Sequence, residues 1–147
     1  MKKNTPSQRR KMMDISALQN SGHLIEMEND GTMICKLCGP ADTPYENMNF
    51  KIRITLPLQY PFHSPSVGFI GNIYHPNVDF LSGTICLNVL NQEWTPVYNL
   101  VAIIETLLPQ LLTYPNPDDP LNEDAAKLLL ENPEEYKQKC KLQSDSI

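Results

Sequence analysis

Cys86 follows the triplet His75-Pro76-Asn77 at a distance of nine residues from the asparagine, and Trp94 comes eight residues later. The whole stretch lacks helical or strand periodicity. A thiol, a side-chain amide and a rigid proline turn close together in irregular chain are the parts of an acyl-carrying site. Such a carrier accepts a carbonyl as a thioester, shields it from water and yields it to an amine. At neutral pH an ordinary thiol is a few per cent thiolate, and that fraction is nucleophilic enough to need no strong neighbouring base. A well-placed base would also activate water and turn the carrier into a hydrolase. Around Cys86 stand Ser82, Thr84 and Asn88, with no carboxylate or imidazole nearer in the chain than Asp79 and His75. This favours transfer over hydrolysis. The tetrahedral oxyanion of transfer needs a preplaced donor, which the Asn77 amide can supply; loss of one such donor typically costs about 10²- to 10³-fold. His75, beside Pro76, is expected to tie down the turn rather than act as a base.

The elements that must hold these groups follow from patterning. Thr5-Pro6-Ser7-Gln8 has capping-box spacing with proline at the first helical position, and Met12, Ile15 and Leu18 recur at three-residue steps. This predicts a short amphipathic helix ending near Gly22. The period then changes. Leu24 to Met27 and Thr32 to Leu37 flank the turn Asn29-Asp30-Gly31, and Phe50, Ile52, Ile54 and Leu56 alternate with Lys51, Arg53 and Thr55. With Ser66 to Ile70 they predict a four-stranded antiparallel meander, one face on helices and the other towards water or a partner. From Gly71 to Tyr98 no period is sustained, yet Ile73, Tyr74, Ile85, Leu87, Val89, Leu90 and Trp94 argue against disorder. Chemistry is expected there. An apolar helix follows from Asn99 to about Leu111, with Pro109 kinking or ending it. Asn122 and Asn132 cap two further short helices. The order reads as an α+β fold, one domain over residues 1–147.

Composition narrows the function classes. Lys2, Lys3, Arg9, Arg10 and Lys11 precede the first acid, Asp14, while Asp118, Asp119, Glu123, Asp124, Glu131, Glu134 and Glu135 crowd the C-terminal third, within a net charge of -5. A basic head and an acidic flank suit protein partners rather than nucleic acid. No apolar run approaches the roughly 20 residues of a membrane span, and the first residues lack the apolar centre of a signal peptide. The expectation is a soluble protein of cytoplasm or nucleus with four free thiols. Cys35 and Cys38 have the spacing of a zinc or redox pair, but residues three apart on a strand face opposite ways and no second pair completes a site. No metal and no cofactor are expected.

The segment from Tyr74 through Asn88, followed by Trp94-Thr95-Pro96, resembles the core of the ubiquitin-conjugating enzymes. The likeness extends upstream through Tyr60-Pro61-Phe62 and Ser64-Pro65, and downstream through Tyr114-Pro115-Asn116-Pro117-Asp118-Asp119-Pro120-Leu121-Asn122. Leu108 to Leu112 and Pro133 to Lys139 are most similar to the H-type members. The resemblance implies the ubiquitin-conjugating fold and an acyltransferase that takes ubiquitin from an activating enzyme as a thioester on Cys86. A ligase then brings the substrate lysine, and ATP is spent at the preceding step of the pathway. In the family the triplet asparagine, here Asn77, serves the oxyanion or holds the nearby loop, and Asp119 orients the incoming lysine. His75, Pro76, Asn88, Tyr114 and Leu121 support the site. Phe62 and Pro96 stand where the family meets RING-class ligases, and Arg9, Arg10 and Lys11 where it receives the activating enzyme. A monomer is implied.

Two departures qualify the match. Asn88 replaces the Asp that many members carry two residues after the cysteine, keeping hydrogen bonds but not charge. The sequence stops at Ile147, short of the acidic extension usual in the H type, so any role of such a tail is expected to fall elsewhere. Competing classes are weaker. A cysteine hydrolase needs a histidine oriented onto the sulfur, and His23, His63 and His75 show no such signature. A non-catalytic modifier-binding scaffold of this fold lacks the cysteine. Conjugation of another ubiquitin-like modifier is the nearer rival.

Overall fold

The computed structural model describes residues 5–23, 25–85 and 94–147. Leu24, Cys86 and Asn88 therefore lie outside the described residues. Helix α1, Pro6–Asn20, begins with the full capping box: Thr5 Oγ1 accepts from Gln8 N–H and the Gln8 side chain accepts from Thr5 N–H. It ends as Gly22 turns into the left-handed region at φ 91°. Its buried face is in part the one that the Met12, Ile15, Leu18 spacing predicts: Leu18 is buried and Ile15 packs half-buried against the core. Met12 is exposed, and Asp14 and Leu18, four apart, point inward. The physical reason is the phenol of Tyr60, which meets Asp14 and turns a carboxylate towards the interior.

Strands β1 (Ile25–Met27), β2 (Met33–Cys38), β3 (Asn49–Thr55) and β4 (Ser66–Ile70) form one antiparallel sheet in sequence order. Register pairs Met33 with Ile54, Cys35 with Ile52 and Leu37 with Phe50, then Ile52 with Phe69 and Ile54 with Val67. All of these side chains are buried, as strand alternation requires of a sheet covered on one face. Cys35 is buried and Cys38 exposed, on opposite faces of β2.

The covering element is α2, residues 100–113. It is α-helical over Leu100–Ala102, widens to a π turn over Ile103–Leu107 and returns to α-helix over Leu108–Thr113. Pro109 neither ends nor breaks it. In the widened stretch Leu108 N–H reaches Ile103 O, five residues back. The ladder has thus shifted by one residue before the proline, which brings no N–H and needs room for its ring. Leu100, Ile103, Ile104, Leu108, Leu111 and Leu112 join the sheet residues in one core. Helices α3 (Glu123–Glu131) and α4 (Pro133–Gln143) follow, capped by Asn122 and Asn132 as predicted. Residues 144–147 then run back as a strap. Ser144 Oγ accepts from Tyr74 N–H, Asp145 pairs with the backbone of Asn72 in both directions, and Ile147 N–H donates to Asn49 O. Nothing in the sequence pattern announced this strap.

Among the described residues no helix is long and apolar enough to cross a membrane. Among the same residues no group of His, Cys, Asp and Glu is arranged to hold a metal ion.

Candidate active site

Among the described residues, the irregular stretch after β4 is held by side chains, with few backbone ladders of its own. Tyr45 OH donates to Tyr74 O, while Ser144 Oγ takes the Tyr74 N–H. Tyr74 is thereby fixed on both sides, and the triplet that follows it enters the interior. His75 and Asn77 are fully buried. His75 Nε2 lies 2.9 Å from Leu111 O and so donates, whereas Nδ1 accepts from Asn77 N–H at 3.0 Å. Those partners fix one neutral tautomer. Burial pulls the imidazole down from 6.5 to about 4, against the smaller opposing pull of the Leu111 carbonyl. The ring is a tie between the turn and the end of α2.

An imidazole that protonates less readily when folded makes stability depend on pH. Between about pH 6.5 and 4 the unfolded chain binds the extra proton. The contribution is therefore complete above pH 6.5 and is lost as pH falls through the folded value, by up to about 3 kcal/mol. Urea unfolding from pH 7 to pH 4 should show this loss, and His75→Gln should flatten the slope within that window. An equal slope in the variant would place the proton uptake elsewhere.

Asn77 spends its amide on one loop. Its Nδ2 donates to Asn116 O at 2.7 Å and to Asp119 O at 3.4 Å, and its Oδ1 accepts from Asn116 N–H at 2.8 Å. Pro76 O takes both Leu121 N–H, at 2.8 Å, and Asn122 N–H, at 3.0 Å. The triplet is thus a bracket for residues 116–122. Of the two roles that the resemblance leaves open for Asn77, these bonds are those of a loop tie. The loop carries exposed Asp119, with Tyr114 at its entrance, 76% exposed, and Leu121 at its exit, 44% exposed. The signal for this bracket was faint: a buried-type Asn beside Pro, and an Asn116 framed by Pro115 and Pro117.

The chain returns towards the triplet through a tight turn. Asp79 accepts from the Ser82 hydroxyl and N–H, which together hold its carboxyl below the usual range. Gly83, at φ 75°, donates to Asp79 O, and its carbonyl takes Phe69 N–H of β4. Thr84 then bridges Gly68, and Ile85 bridges Val78. Ile85, the covalent neighbour of Cys86, therefore sits beside the residue that follows Asn77. A Cβ on Gly83 would meet Phe69 O at 1.9 Å. Gly83→Ala should destabilise the protein by about 2–3 kcal/mol, since both the backbone conformation and the approach to β4 forbid a side chain. A denaturation midpoint equal to wild type would contradict this.

Beyond the undescribed residues, Trp94 is buried, with its indole N–H on Pro61 O at 2.9 Å. Two loops meet through it. Phe62 is 74% exposed, and Pro96 is exposed next to Val97. Phe62 is accordingly a surface residue and not part of the core. The basic residues of α1 divide: Arg10 donates to Asp14 at 2.9 Å and to Tyr98 O at 2.6 Å. Arg10 is thus tied within the molecule with its side chain 27% exposed, while Arg9 is exposed and Lys11 half-buried. Cys140 is buried in α4 beside Tyr45 and Tyr74.

The family model described as ubiquitin-conjugating enzyme matches residues 6–144. "Ubiquitin-conjugating enzyme E2 5" of Arabidopsis thaliana is 51% identical over 139 residues, 93% of this chain and 75% of that protein. "Ubiquitin-conjugating enzyme E2-23 kDa" of Triticum aestivum is 47% identical with the same coverage. Among solved structures, the E2 domain of a Toxoplasma gondii ubiquitin conjugating enzyme superposes with a TM-score of 0.81 at 29% identity, covering 93% of this chain and 95% of that one.

Proposed function

Since the chain belongs to the ubiquitin-conjugating enzyme family, and so is a transferase working through a cysteine thioester, we propose that Cys86 is the residue that carries ubiquitin. Its thiolate attacks the thioester carbonyl on the activating enzyme, the old C–S bond breaks, and the activating-enzyme sulfur leaves as thiolate. A neutral lysine amine then attacks the new thioester; the amide bond forms, Cys86 leaves as thiolate and the amine proton passes to solvent. The observation that carries this reading is the bracket from His75-Pro76-Asn77 to residues 116–122. It joins the Asp119 loop to the segment whose partner Ile85 leads into Cys86.

Within that frame Asn77 holds the loop, and Asp119 at its exposed crest orients the lysine, with Tyr114 and Leu121 as its apolar flanks. A carboxylate alone would favour the ammonium, so apolar walls are needed to keep the amine neutral. His75 and Pro76 support the turn, and Asn88 supplies hydrogen bonding without charge. Phe62 and Pro96 anchor a RING-class ligase, and Arg9, Arg10 and Lys11 steer the activating enzyme. Residues 1–147 make a single core domain of H-type character, working as a monomer in cytoplasm or nucleus and itself needing no cofactor.

The test is loading. Incubated with activating enzyme, ATP and ubiquitin, the protein should form a conjugate that thiols cleave. Parallel reactions with other ubiquitin-like proteins and their own activating enzymes should leave it empty. Faster loading with one of those would reassign the modifier.

A further inference from the structure

Two segments distant in the chain, α1 and residues 94–98, converge on Tyr60, whose side chain is fully buried. From α1, Asp14 accepts the Tyr60 hydroxyl and, at 2.9 Å, the Nε–H of Arg10. Arg10 then reaches across to Tyr98 O at 2.6 Å, with its guanidinium 5.9 Å from the centre of the Tyr60 ring. Ser7 Oγ lies 2.5 Å from Tyr60 O, which closes the contact of α1 with this loop. On the far side the Trp94 ring lies 5.8 Å from Tyr60 and 6.0 Å from Tyr98. The residues between these ties present Leu58, Phe62 and Val97 to solvent, 74% to 89% exposed. Among the described residues neither loop carries a strand or helix that would fix its position.

We propose that Asp14 is a positioning residue for ligase docking: through Tyr60 and Arg10 it sets the spacing between the loop bearing Phe62 and the loop bearing Pro96 and Val97. The proposal rests on the reading of Phe62 and Pro96 as ligase anchors. A buried carboxylate is costly unless paired, and here one oxygen serves two donors that lead to two different loops. Removing its charge leaves Arg10 without its anion, so the strap to Tyr98 loosens while the bracket around His75 and Asn77 stays intact. Docking surfaces gain affinity from being held in their bound geometry, so the loss falls on ligase affinity and not on the chemistry at the sulfur.

The experiment compares the full chain with Asp14→Asn, Tyr60→Phe and Phe62→Ala. Each is loaded with ubiquitin and discharged to free lysine, with and without a RING domain chosen because it stimulates the wild-type protein. For Asp14→Asn the concentration of RING domain giving half-maximal stimulation should rise about tenfold. Tyr60→Phe keeps the packing and removes one bond, and should raise it about threefold. In both, ligase-free discharge and the maximal stimulated rate should stay within about twofold of wild type. Trp94, the sole tryptophan, gives a second readout: acrylamide should quench it more readily in both variants. An unchanged half-maximal concentration, or ligase-free discharge falling in parallel, would overturn the proposal by making Asp14 a residue of general stability. Should Asp14→Asn fail to fold, Tyr60→Phe decides alone. If Phe62→Ala leaves stimulation unaltered, the docking reading itself fails and the proposal falls with it.

Discussion

Cys86→Ala should leave the protein without any thiol-cleavable ubiquitin conjugate when it is incubated with activating enzyme, ATP and ubiquitin. No other sulfur is placed to take over. Cys35 is buried in the sheet, and burial pushes its thiol up to about 11; Cys140 is buried in α4 and also raised, again by burial. Thiolate is the attacking species, so both are poor nucleophiles at neutral pH as well as inaccessible. Cys38 is exposed, but it lies on β2 with its sulfur 3.1 Å from Asn49 Oδ1, away from the bracketed loop. The measurement is a non-reducing gel run beside a reduced one. A conjugate that persists in Cys86→Ala and disappears only when Cys38 is also replaced would move the carrier to the sheet and end the present assignment.

The second large effect concerns discharge. Asn77→Ser should still load, because loading needs the sulfur and the activating-enzyme face, yet it should discharge to lysine about 10- to 100-fold more slowly. A serine is too short to meet the carbonyls of Asn116 and Asp119 and the Asn116 N–H together. Backbone groups left unmet cost about 1–3 kcal/mol, and each 1.4 kcal/mol is about tenfold in rate if the loop must be ordered to react. Asp119→Asn separates the two routes to such a loss. If Asn77 works by holding the loop, Asp119→Asn should slow the wild type but add almost nothing in the Asn77→Ser background, because the two act as one unit. If the amide donates directly to the oxyanion, the two effects multiply. Single-turnover discharge of preloaded protein measures both, and normal discharge by Asn77→Ser would remove the residue from the mechanism.

Patterns that depend on near neighbours were legible in the chain. The capping box at Thr5, the alternation of Phe50, Ile52 and Ile54, the caps at Asn122 and Asn132 and the break at Gly22 each arise from a few consecutive residues, and each is present as expected. Local spacing fails where a distant group overrides it. Ile15 and Leu18 pack on the core as their spacing predicts, yet Tyr60, from forty-odd residues away, meets an inward Asp14 while Met12 stays exposed. Pro109 predicts a kink or an end; the helix does not end there, and the distortion takes the form of a π turn over Ile103–Leu107 just before the proline.

The α+β order, the apolar stripes and strands, the irregular stretch where chemistry belongs, and the family through the motif around Cys86 can all be read from the residues in order. These rest on covalent spacing and local backbone preference, which travel with the chain. Only the tertiary structure decided that Asn77 grips the 116–122 loop, that Arg10 is tied within the molecule, and that residues 144–147 hold Asn72 and Tyr74 in place. Each of those is a hydrogen bond between groups 39 to 88 residues apart. No spacing in the chain encodes such a pairing, because it exists only once the core has brought both partners out of water and left them to satisfy each other.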